Sequence, residues 1–172
     1  SSAASDVYKR QEESLKNVLP LVKKYGAAVV GLTLDKDGIP PKAEQRVAIA
    51  EKIIKRCEKI GIPKEDIAID CLTLTASAEQ LAVNETLKAV RAVKERFGVR
   101  TVLGVSNISF GLPNRELLNH IFLTMALENG LDLPIINPNV ASMTGAVRAF
   151  KLLKAIDVNS VAVSYTHLTL PT

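Results

Sequence analysis

Residues 104–115 carry the polar side chains best suited to binding chemistry. They follow an apolar run, Thr101 to Val105, that predicts a buried strand, and they lead into a predicted helix. Polar groups placed between a strand and a loop are how α/β folds present their sites. Ser106, Asn107 and Arg115 offer a hydroxyl, an amide and a cation, with no nucleophile–base pair, which favours binding a polar heterocycle over covalent catalysis. The alternatives are a turn-forming asparagine and an ordinary surface arginine.

Asp70 is a second candidate, because it lies within the apolar sequence from Ile67 to Leu72. A carboxylate in such a stretch costs free energy unless it is hydrogen-bonded or faces a ligand. It could accept two hydrogen bonds from an amidine-like N–H pair, the edge that a pterin or guanine presents. The alternative is an aspartate satisfied by backbone N–H groups of the next loop.

Polar residues also follow the other predicted strands. Asp35 and Asp37 come after the first, and Asn137 ends the fourth. Because the ends of parallel strands meet at one edge of a sheet, these groups could line one pocket with Asp70 and Asn107. The Asp-Lys-Asp-Gly sequence around Asp35 is similar to the start of a calcium loop but lacks the later ligands, so it predicts a loop turn.

These groups are positioned by a repeated strand–helix unit. Apolar strands that alternate with amphipathic helices, each helix stopping at a glycine, predict a parallel sheet covered by helices. The predicted strands are residues 27–34, 67–72, 101–106 and 133–137. One helix face predicted to be buried comprises Val47, Ala50, Ile53, Ile54 and Cys57, and another comprises Leu117, Leu118, Ile121, Phe122 and Met125.

Four such units fit either a small doubly wound sheet or half of an eight-stranded barrel. The absence of a Gly-x-Gly-x-x-Gly sequence or phosphate loop after any strand counts against a nucleotide-binding doubly wound fold. The fold class predicted from the units alone is therefore α/β, with both architectures open.

Composition narrows the function classes. The chain is 47% hydrophobic and 23% charged, which is ordinary for a globular protein, and no apolar run approaches the roughly 20 residues of a membrane helix. The net charge of +4 is spread along helix faces and aromatic residues make up 4%, so we expect no nucleic-acid or membrane partner. Cys57 and Cys71 indicate reduced thiols of a cytoplasmic protein.

The two ends of the chain do not continue the interior pattern. Residues 1–11 (SSAASDVYKRQ) and 164–172 (SYTHLTLPT) resemble translated sequencing-adapter read-through. Such segments carry no information about the fold of the domain. We therefore expect artefactual tails at 1–11 and 164–172, and one domain over residues 12–163.

Four sequence motifs together resemble the pterin-binding family, and in particular the methyltetrahydrofolate-binding domain of cobalamin-dependent methionine synthase and related corrinoid methyltransferases. They are GLTLDKDGIP at residues 31–40, IDCL at 69–72, GVSNISFGLPNR at 104–115 and ALENGLD at 126–132. The third motif is long and specific, and the resemblance covers about residues 12–160. It implies a partial (β/α)8 TIM barrel like that of dihydropteroate synthase, of which this sequence would form strands five to eight.

The resemblance also implies roles for site residues. Asp70 matches the carboxylate that holds the 2-amino/N–H edge of the pterin, and Asn107 matches the asparagine that approaches the methyl-bearing ring nitrogen. Arg115 matches a pterin-site arginine, while Ser106 and Asn137 are expected to bind substrate from neighbouring strand ends. Other family contacts, an acidic residue and an asparagine on earlier strands, would precede residue 12.

The implied reaction is methyl transfer from methyltetrahydrofolate to cob(I)alamin (a corrinoid) on a partner domain or protein, with Asn107 as the catalytic residue. A homodimer is a further expectation, and no metal is expected, because no ligand cluster has metal spacing. The isolated chain is expected to be inactive. The alternatives are a dihydropteroate synthase-like pterin enzyme, disfavoured by the lack of a lysine and arginine set at the later strand ends, and a non-catalytic α/β interaction module.

Overall fold

A four-stranded parallel sheet forms the centre of the computed structural model, which describes residues 15–157. The strands are β1 (Val29–Leu32), β2 (Ile67–Asp70), β3 (Arg100–Gly104) and β4 (Leu133–Ile135). They pair in chain order, β1-β2-β3-β4, and every pair is parallel. The predicted strands and their order are confirmed, although each strand is shorter than its predicted segment.

Helices separate the strands and lie on one side of the sheet. They are α1 (described over 15–25), α2 (Ala43–Ile60), α3 (Leu81–Phe97), α4 (Arg115–Glu128) and α5 (Ala141–Leu153). From α2 onward each helix contacts the next, which places them in one layer. A doubly wound sheet reverses its strand order and has helices on both faces, whereas a barrel does neither. The chain is therefore a partial α/β barrel, as the resemblance implied.

The close approach of α2 to β1 depends on Gly31. A Cβ atom at this position would lie 2.7 Å from Cγ2 of Ile53 on α2, so a larger residue would push the helix away. The face of α2 predicted to be buried is confirmed. Its buried residues include Val47, Ala50, Ile53, Ile54 and Cys57.

The predicted buried face of α4 is wrong except at Phe122. The other four predicted residues, Leu117, Leu118, Ile121 and Met125, are all exposed. The residues that α4 buries are Phe122, Leu123, Ala126 and Leu127. Apolar residues occur on most sides of this helix, so their spacing does not identify the face that packs against the core. The packing of α4 between α3 and α5 decides which face is buried.

The sheet face opposite the helices is the inner face of the partial barrel. Since successive side chains of a strand alternate between faces and Gly31 faces α2, the neighbouring Val30 and Leu32 point to the inner face. The pairing register aligns Leu32 with Asp70, Val102 and Leu133 across the four strands. Asp70 therefore belongs to an otherwise apolar row on this face.

The predicted ends of β3 and β4 need correction. β3 ends at Gly104, and residues Val105–Ser109 form a 3-10 helix, so Ser106 and Asn107 do not end a strand. Asn137 lies two residues beyond β4 instead of within it. Residues 1–11, 12–14 and 158–172 lie outside the described residues, so the tails and the 12–163 domain remain predictions. None of the described helices has the length and apolar character of a membrane span.

Candidate functional site

Asp70, the last residue of β2, is a buried carboxylate at the carboxyl edge of the sheet. Its side chain is held by Leu72, whose backbone N–H donates to Oδ1 at 2.8 Å. Only 8% of the residue is exposed, and this burial raises the pKa of the carboxyl, while the hydrogen bond from Leu72 opposes the rise. The structure thus contains one backbone hydrogen bond of the kind that the alternative interpretation requires, and a carboxylate has further acceptor capacity.

Asn107 is exposed and lies within the 3-10 helix that follows β3. Its amide packs over Gly104: a Cβ atom on Gly104 would be only 2.8 Å from Nδ2 of Asn107. The absence of a side chain at Gly104 therefore leaves room for the Asn107 amide in this position. The strand predicted over 101–106 stops early because residues 105–109 turn into the 3-10 helix.

Arg115 begins α4, where the helix dipole disfavours a cation. Hydrogen bonds offset this disadvantage: Nε donates to Oγ of Ser109 at 3.1 Å, and Nη2 donates to the carbonyl of Ser106 at 3.1 Å. The buried Ser109 hydroxyl also donates to Oδ1 of Asn119 at 2.7 Å. Ser109 and Asn119 were not predicted. The sequence indicates them only through their spacing from Arg115, and that spacing has no meaning until the positions of the 3-10 helix and α4 are known.

Three of the predicted residues line one cleft of about 300 Å³ beside the carboxyl ends of β3 and β4. Ser106, Arg115 and Asn137 meet there, and Oδ1 of Asn137 accepts the backbone N–H of Asn139 at 3.0 Å. The remaining lining residues are Glu116, Asn119, Ile136, Val140 and Met143. Asp70 and Asn107 do not line this cleft, so their convergence with it on one substrate remains a prediction.

The loops that follow β2 and β3 are joined by hydrogen bonds. Thr75 Oγ1 and Ser77 Oγ both donate to the carbonyl of Phe110, at 2.9 and 3.0 Å, and the N–H of Ala76 donates to the carbonyl of Ile108 at 2.9 Å. These contacts link the loop after Asp70 to the segment that carries Asn107. Sequence reasoning missed them, because they join residues more than 30 positions apart.

Asp35 and Asp37 form the turn that was predicted for them. The N–H of Asp37 donates to Oδ1 of Asp35 at 2.8 Å, and neither residue lines the cleft. Among residues 15–157, no group of three or more His, Cys, Asp or Glu side chains is placed to hold a metal ion. Cys57 and Cys71 are free and buried, and burial raises the pKa of the Cys71 thiol to about 12.

The sequence matches the family described as pterin binding enzyme over residues 6–137, and the chain belongs to this family. This agrees with the partial barrel, with the buried Asp70 at its carboxyl edge, and with the resemblance in the four motifs.

Curated relatives include methionine synthases and a methyltransferase. The chain is 41% identical to methionine synthase of Mycobacterium leprae (strain TN) and 40% identical to that of Mycobacterium tuberculosis (strain ATCC 25618 / H37Rv), each over 134 residues. Each match covers 73% of this chain and 11% of the relative. It is 29% identical over 130 residues to methylcorrinoid:tetrahydrofolate methyltransferase of Eubacterium limosum, covering 75% of this chain and 48% of that protein. The chain thus spans about a tenth of these methionine synthases and about half of the methyltransferase.

Proposed function

We propose that this chain is the second half of a barrel that binds methyltetrahydrofolate and positions its N-methyl group for transfer to cob(I)alamin. The corrinoid would be carried by a partner domain or protein. Two findings from sequence similarity support the proposal: membership of the pterin-binding family, and relatives whose names are methionine synthase and methylcorrinoid:tetrahydrofolate methyltransferase.

The observation that carries the proposal is the buried Asp70 carboxylate on the inner face. Burial makes an unpaired carboxylate costly, and this cost is recovered when a ligand supplies donors. The 2-amino group and adjacent ring N–H of a pterin form a donor pair that fits two carboxylate oxygens. We assign Asp70 to this edge of the ring, a contact made equally before and during the reaction.

Asn107 is assigned to the ring nitrogen that bears the methyl group. A tertiary amine is a poor leaving group, so this nitrogen must gain a proton or a stronger hydrogen bond as the methyl group departs. The Asn107 amide contains both a donor and an acceptor, so it can contact the nitrogen in either protonation state. A hydrogen bond that strengthens as positive charge develops would accelerate the transfer. Because an amide does not supply the proton, water is the proposed acid.

The cleft beside Arg115 is assigned to the remainder of the substrate. Ser106, Arg115 and Asn137 place a carbonyl, a guanidinium and an amide around it. When bound to its own domain, the corrinoid supplies the nucleophile that accepts the methyl group. Arg115 is the one cationic residue among the described residues that line the cleft, which gives little support to a diphosphate substrate of the dihydropteroate synthase type.

Two substitutions in the full-length parent protein test the proposal. Asp70→Asn removes the charge from a charge-assisted pair and should weaken methyltetrahydrofolate binding by roughly 1.5–3 kcal/mol. Asn107→Ala should lower the methyl-transfer rate constant by more than it raises the dissociation constant. Equilibrium titration measures binding, and single-turnover transfer to cob(I)alamin measures the rate.

Residues of the same types away from the site serve as controls. Asp66→Asn alters the 3-10 turn before β2, at the opposite end of that strand from Asp70, and Asn84→Ala alters the exposed side of α3. Both should leave binding and rate unchanged. Full binding by Asp70→Asn would refute the pterin assignment, and equal losses in binding and rate for Asn107→Ala would refute its role in the transition state.

A further inference from the structure

Arg46, on α2, is fully buried and donates hydrogen bonds to three separate parts of the chain. Nε donates to the carbonyl of Pro40 at 2.7 Å, in the connection between β1 and α2. Nη1 lies 3.2 and 3.1 Å from the carbonyls of Cys71 and Leu72, immediately after Asp70. Arg46 thus fixes the loop that leaves β2.

Thr86, on α3, completes this arrangement. Nη1 of Arg46 donates to Thr86 Oγ1 at 2.9 Å, and this hydroxyl lies 3.3 Å from the carbonyl of Leu72. Both Arg46 and Thr86 have no exposed surface. The Thr86 hydroxyl has one proton to donate and lies closer to the carbonyl of Ala82, at 3.0 Å, so the Leu72 carbonyl is held mainly by Arg46.

Leu72 has a backbone conformation that leucine rarely adopts, with φ at +59°. This left-handed conformation is strained for a residue other than glycine, and it persists only where the surroundings enforce it. The hydrogen bond from Arg46 to its carbonyl supplies that enforcement. In the same conformation the N–H of Leu72 points at Oδ1 of Asp70, at 2.8 Å.

We propose that Arg46 is a positioning residue for the Asp70 carboxylate, acting through the Leu72 peptide. Arg46 holds the carbonyl of Leu72, and the Leu72 N–H donates to one oxygen of Asp70. These contacts fix the plane of the carboxylate, so that the remaining acceptor positions of its two oxygens are oriented for the donor pair of a pterin. The identity of the ligand in this inference rests on the proposed function. The orientation of the Asp70 carboxylate by Arg46 does not depend on it.

The high cost of burying Arg46 supports a role beyond stability. Among the described residues, its Nη2 has no hydrogen-bond partner, and burial lowers the pKa of its guanidinium. Replacing buried charged groups with apolar ones is often neutral or stabilising, so a buried arginine with one unsatisfied nitrogen is a poor stability element. We therefore assign Arg46 to positioning the peptides that its other two nitrogens contact.

The test variant is Arg46→Lys in the full-length parent protein. It keeps the positive charge, but a single ammonium group cannot reproduce the guanidinium contacts to the β1–α2 connection, to α3 and to the loop after β2. The Leu72 peptide should relax and its N–H should leave Asp70. Since this hydrogen bond stabilises the ionised carboxylate, its loss should raise the pKa of Asp70, and the carboxylate should become neutral at higher pH.

The first measurement needs no ligand. Protein labelled with 13C at the aspartate carboxyl carbons is titrated by NMR, and the Asp70 signal is identified by its loss in Asp70→Asn. Other titratable groups near this loop are the Cys71 thiol, with a pKa of about 12, and Glu79 and Glu85 on the α3 side. The expected result is an upward shift of the Asp70 midpoint in Arg46→Lys. An unchanged midpoint would overturn the proposal.

Two further variants separate positioning from general destabilisation. Thr86→Val removes the hydroxyl but keeps the shape, and should shift the midpoint in the same direction by less. Val47→Ala, a buried apolar position on the same helix, should lower stability without moving the midpoint. An equal shift in Val47→Ala would show that loosening of α2 is sufficient, and would contradict a specific role for Arg46. If Arg46→Lys does not fold, Thr86→Val and Val47→Ala still decide the question.

The second measurement uses methyltetrahydrofolate. Arg46→Lys should bind it about tenfold more weakly at neutral pH, and binding should be lost at a higher pH than in the wild type during acidification. Wild-type protein that fails to bind would refute the proposed function while leaving the NMR result valid. Wild-type affinity in Arg46→Lys together with a shifted midpoint would overturn the role of Arg46 in binding.

Discussion

At the scale of single residues, the Asp70 carboxylate is held between opposing influences. Burial favours its neutral form, and the Leu72 N–H favours its ionised form. A bound ligand that donates a pair of hydrogen bonds would stabilise the ionised form of the carboxyl. Carboxylates with raised pKa values at the edge of a sheet are typical of functional sites, which agrees with the binding role proposed here.

Gly104 is the residue that sets the position of the Asn107 amide. Its φ of −74° is accessible to alanine, but a Cβ atom would lie 2.8 Å from Nδ2 of Asn107 and would displace that side chain. We expect Gly104→Ala in the parent protein to lower the single-turnover methyl-transfer rate about tenfold or more, because small misplacements of reacting groups are costly. The free energy of unfolding should change by less than about 1 kcal/mol.

The matched control is Gly145→Ala, within α5. No atom lies within 4 Å of its Cβ position, so the substitution should raise the free energy of unfolding by roughly 0.5–1 kcal/mol and leave the rate unchanged. Chemical denaturation gives the stabilities. A Gly104→Ala variant with the wild-type rate would show that catalysis does not depend on where Asn107 lies.

Asp70 and Arg46 show what the sequence reveals about single residues. Asp70 could be predicted, because a carboxylate inside an apolar strand is unusual in itself. Arg46 could not, because it occupies an ordinary helix sequence and its partners are mostly backbone carbonyls. The carbonyls of Cys71 and Leu72 are 25 and 26 positions away and have no signature in the sequence.

At the scale of elements, the two loops at the carboxyl edge behave as a connected pair. Thr75 and Ser77 reach across to the Phe110 carbonyl, and the Ala76 N–H reaches Ile108. The loop fixed by Arg46 therefore also supports the 3-10 helix that carries Asn107. Binding by Asp70 and chemistry at Asn107 are proposed to depend on this connection.

Removing both hydroxyls tests the connection between the loops. The double variant Thr75→Val/Ser77→Ala removes two hydrogen bonds at an exposed site, each worth about 0.5–1 kcal/mol, so it should lower the free energy of unfolding by about 1–2 kcal/mol. Hydrogen exchange at the Ala76 amide should become about tenfold faster, because its bond to Ile108 loses support. Exchange measured by NMR or mass spectrometry reports this directly.

Thr124→Val is the control for that experiment. Its hydroxyl donates to the carbonyl of His120 within α4 and joins no loops. Exchange at Ala76 should stay at the wild-type rate in this variant. Unchanged exchange in the double variant would mean that the Ala76 bond to Ile108 holds the loops together by itself.

Element types and order could be predicted, but element faces and ends only in part. Apolar strands and helix-ending glycines give clear signals, and they recover the β/α order. The prediction of the buried face of α4 was wrong, because apolar residues occur on most sides of that helix. Its contacts with the neighbouring helices decide which side packs. The 3-10 helix was missed, because Val105 and Ile108 continue the apolar pattern of the strand and hydrophobic spacing does not distinguish a strand end from a single helical turn.

At the scale of the whole molecule, the open inner face distinguishes this chain from a closed barrel. Val30 is 56% exposed and Ile135 is 60% exposed, and both lie on this face beside Leu32 and Leu133. β1 and β4 are the outer strands of the sheet, so within residues 15–157 each has an edge without a neighbouring strand. In a closed eight-stranded barrel the interior is packed with side chains and no edges remain.

We expect the 172-residue chain on its own to self-associate and to lack methyltransferase turnover. Exposed apolar surface and open strand edges both promote association. Val30→Lys/Ile135→Lys places charges on the inner face and should shift the chain toward monomer, as measured by size-exclusion chromatography with light scattering. The control is Leu117→Lys, at a similarly exposed position on α4, which should leave the association unchanged. Association reduced equally by Leu117→Lys would point to the helical surface, and a wild-type monomer with full turnover would contradict an incomplete barrel.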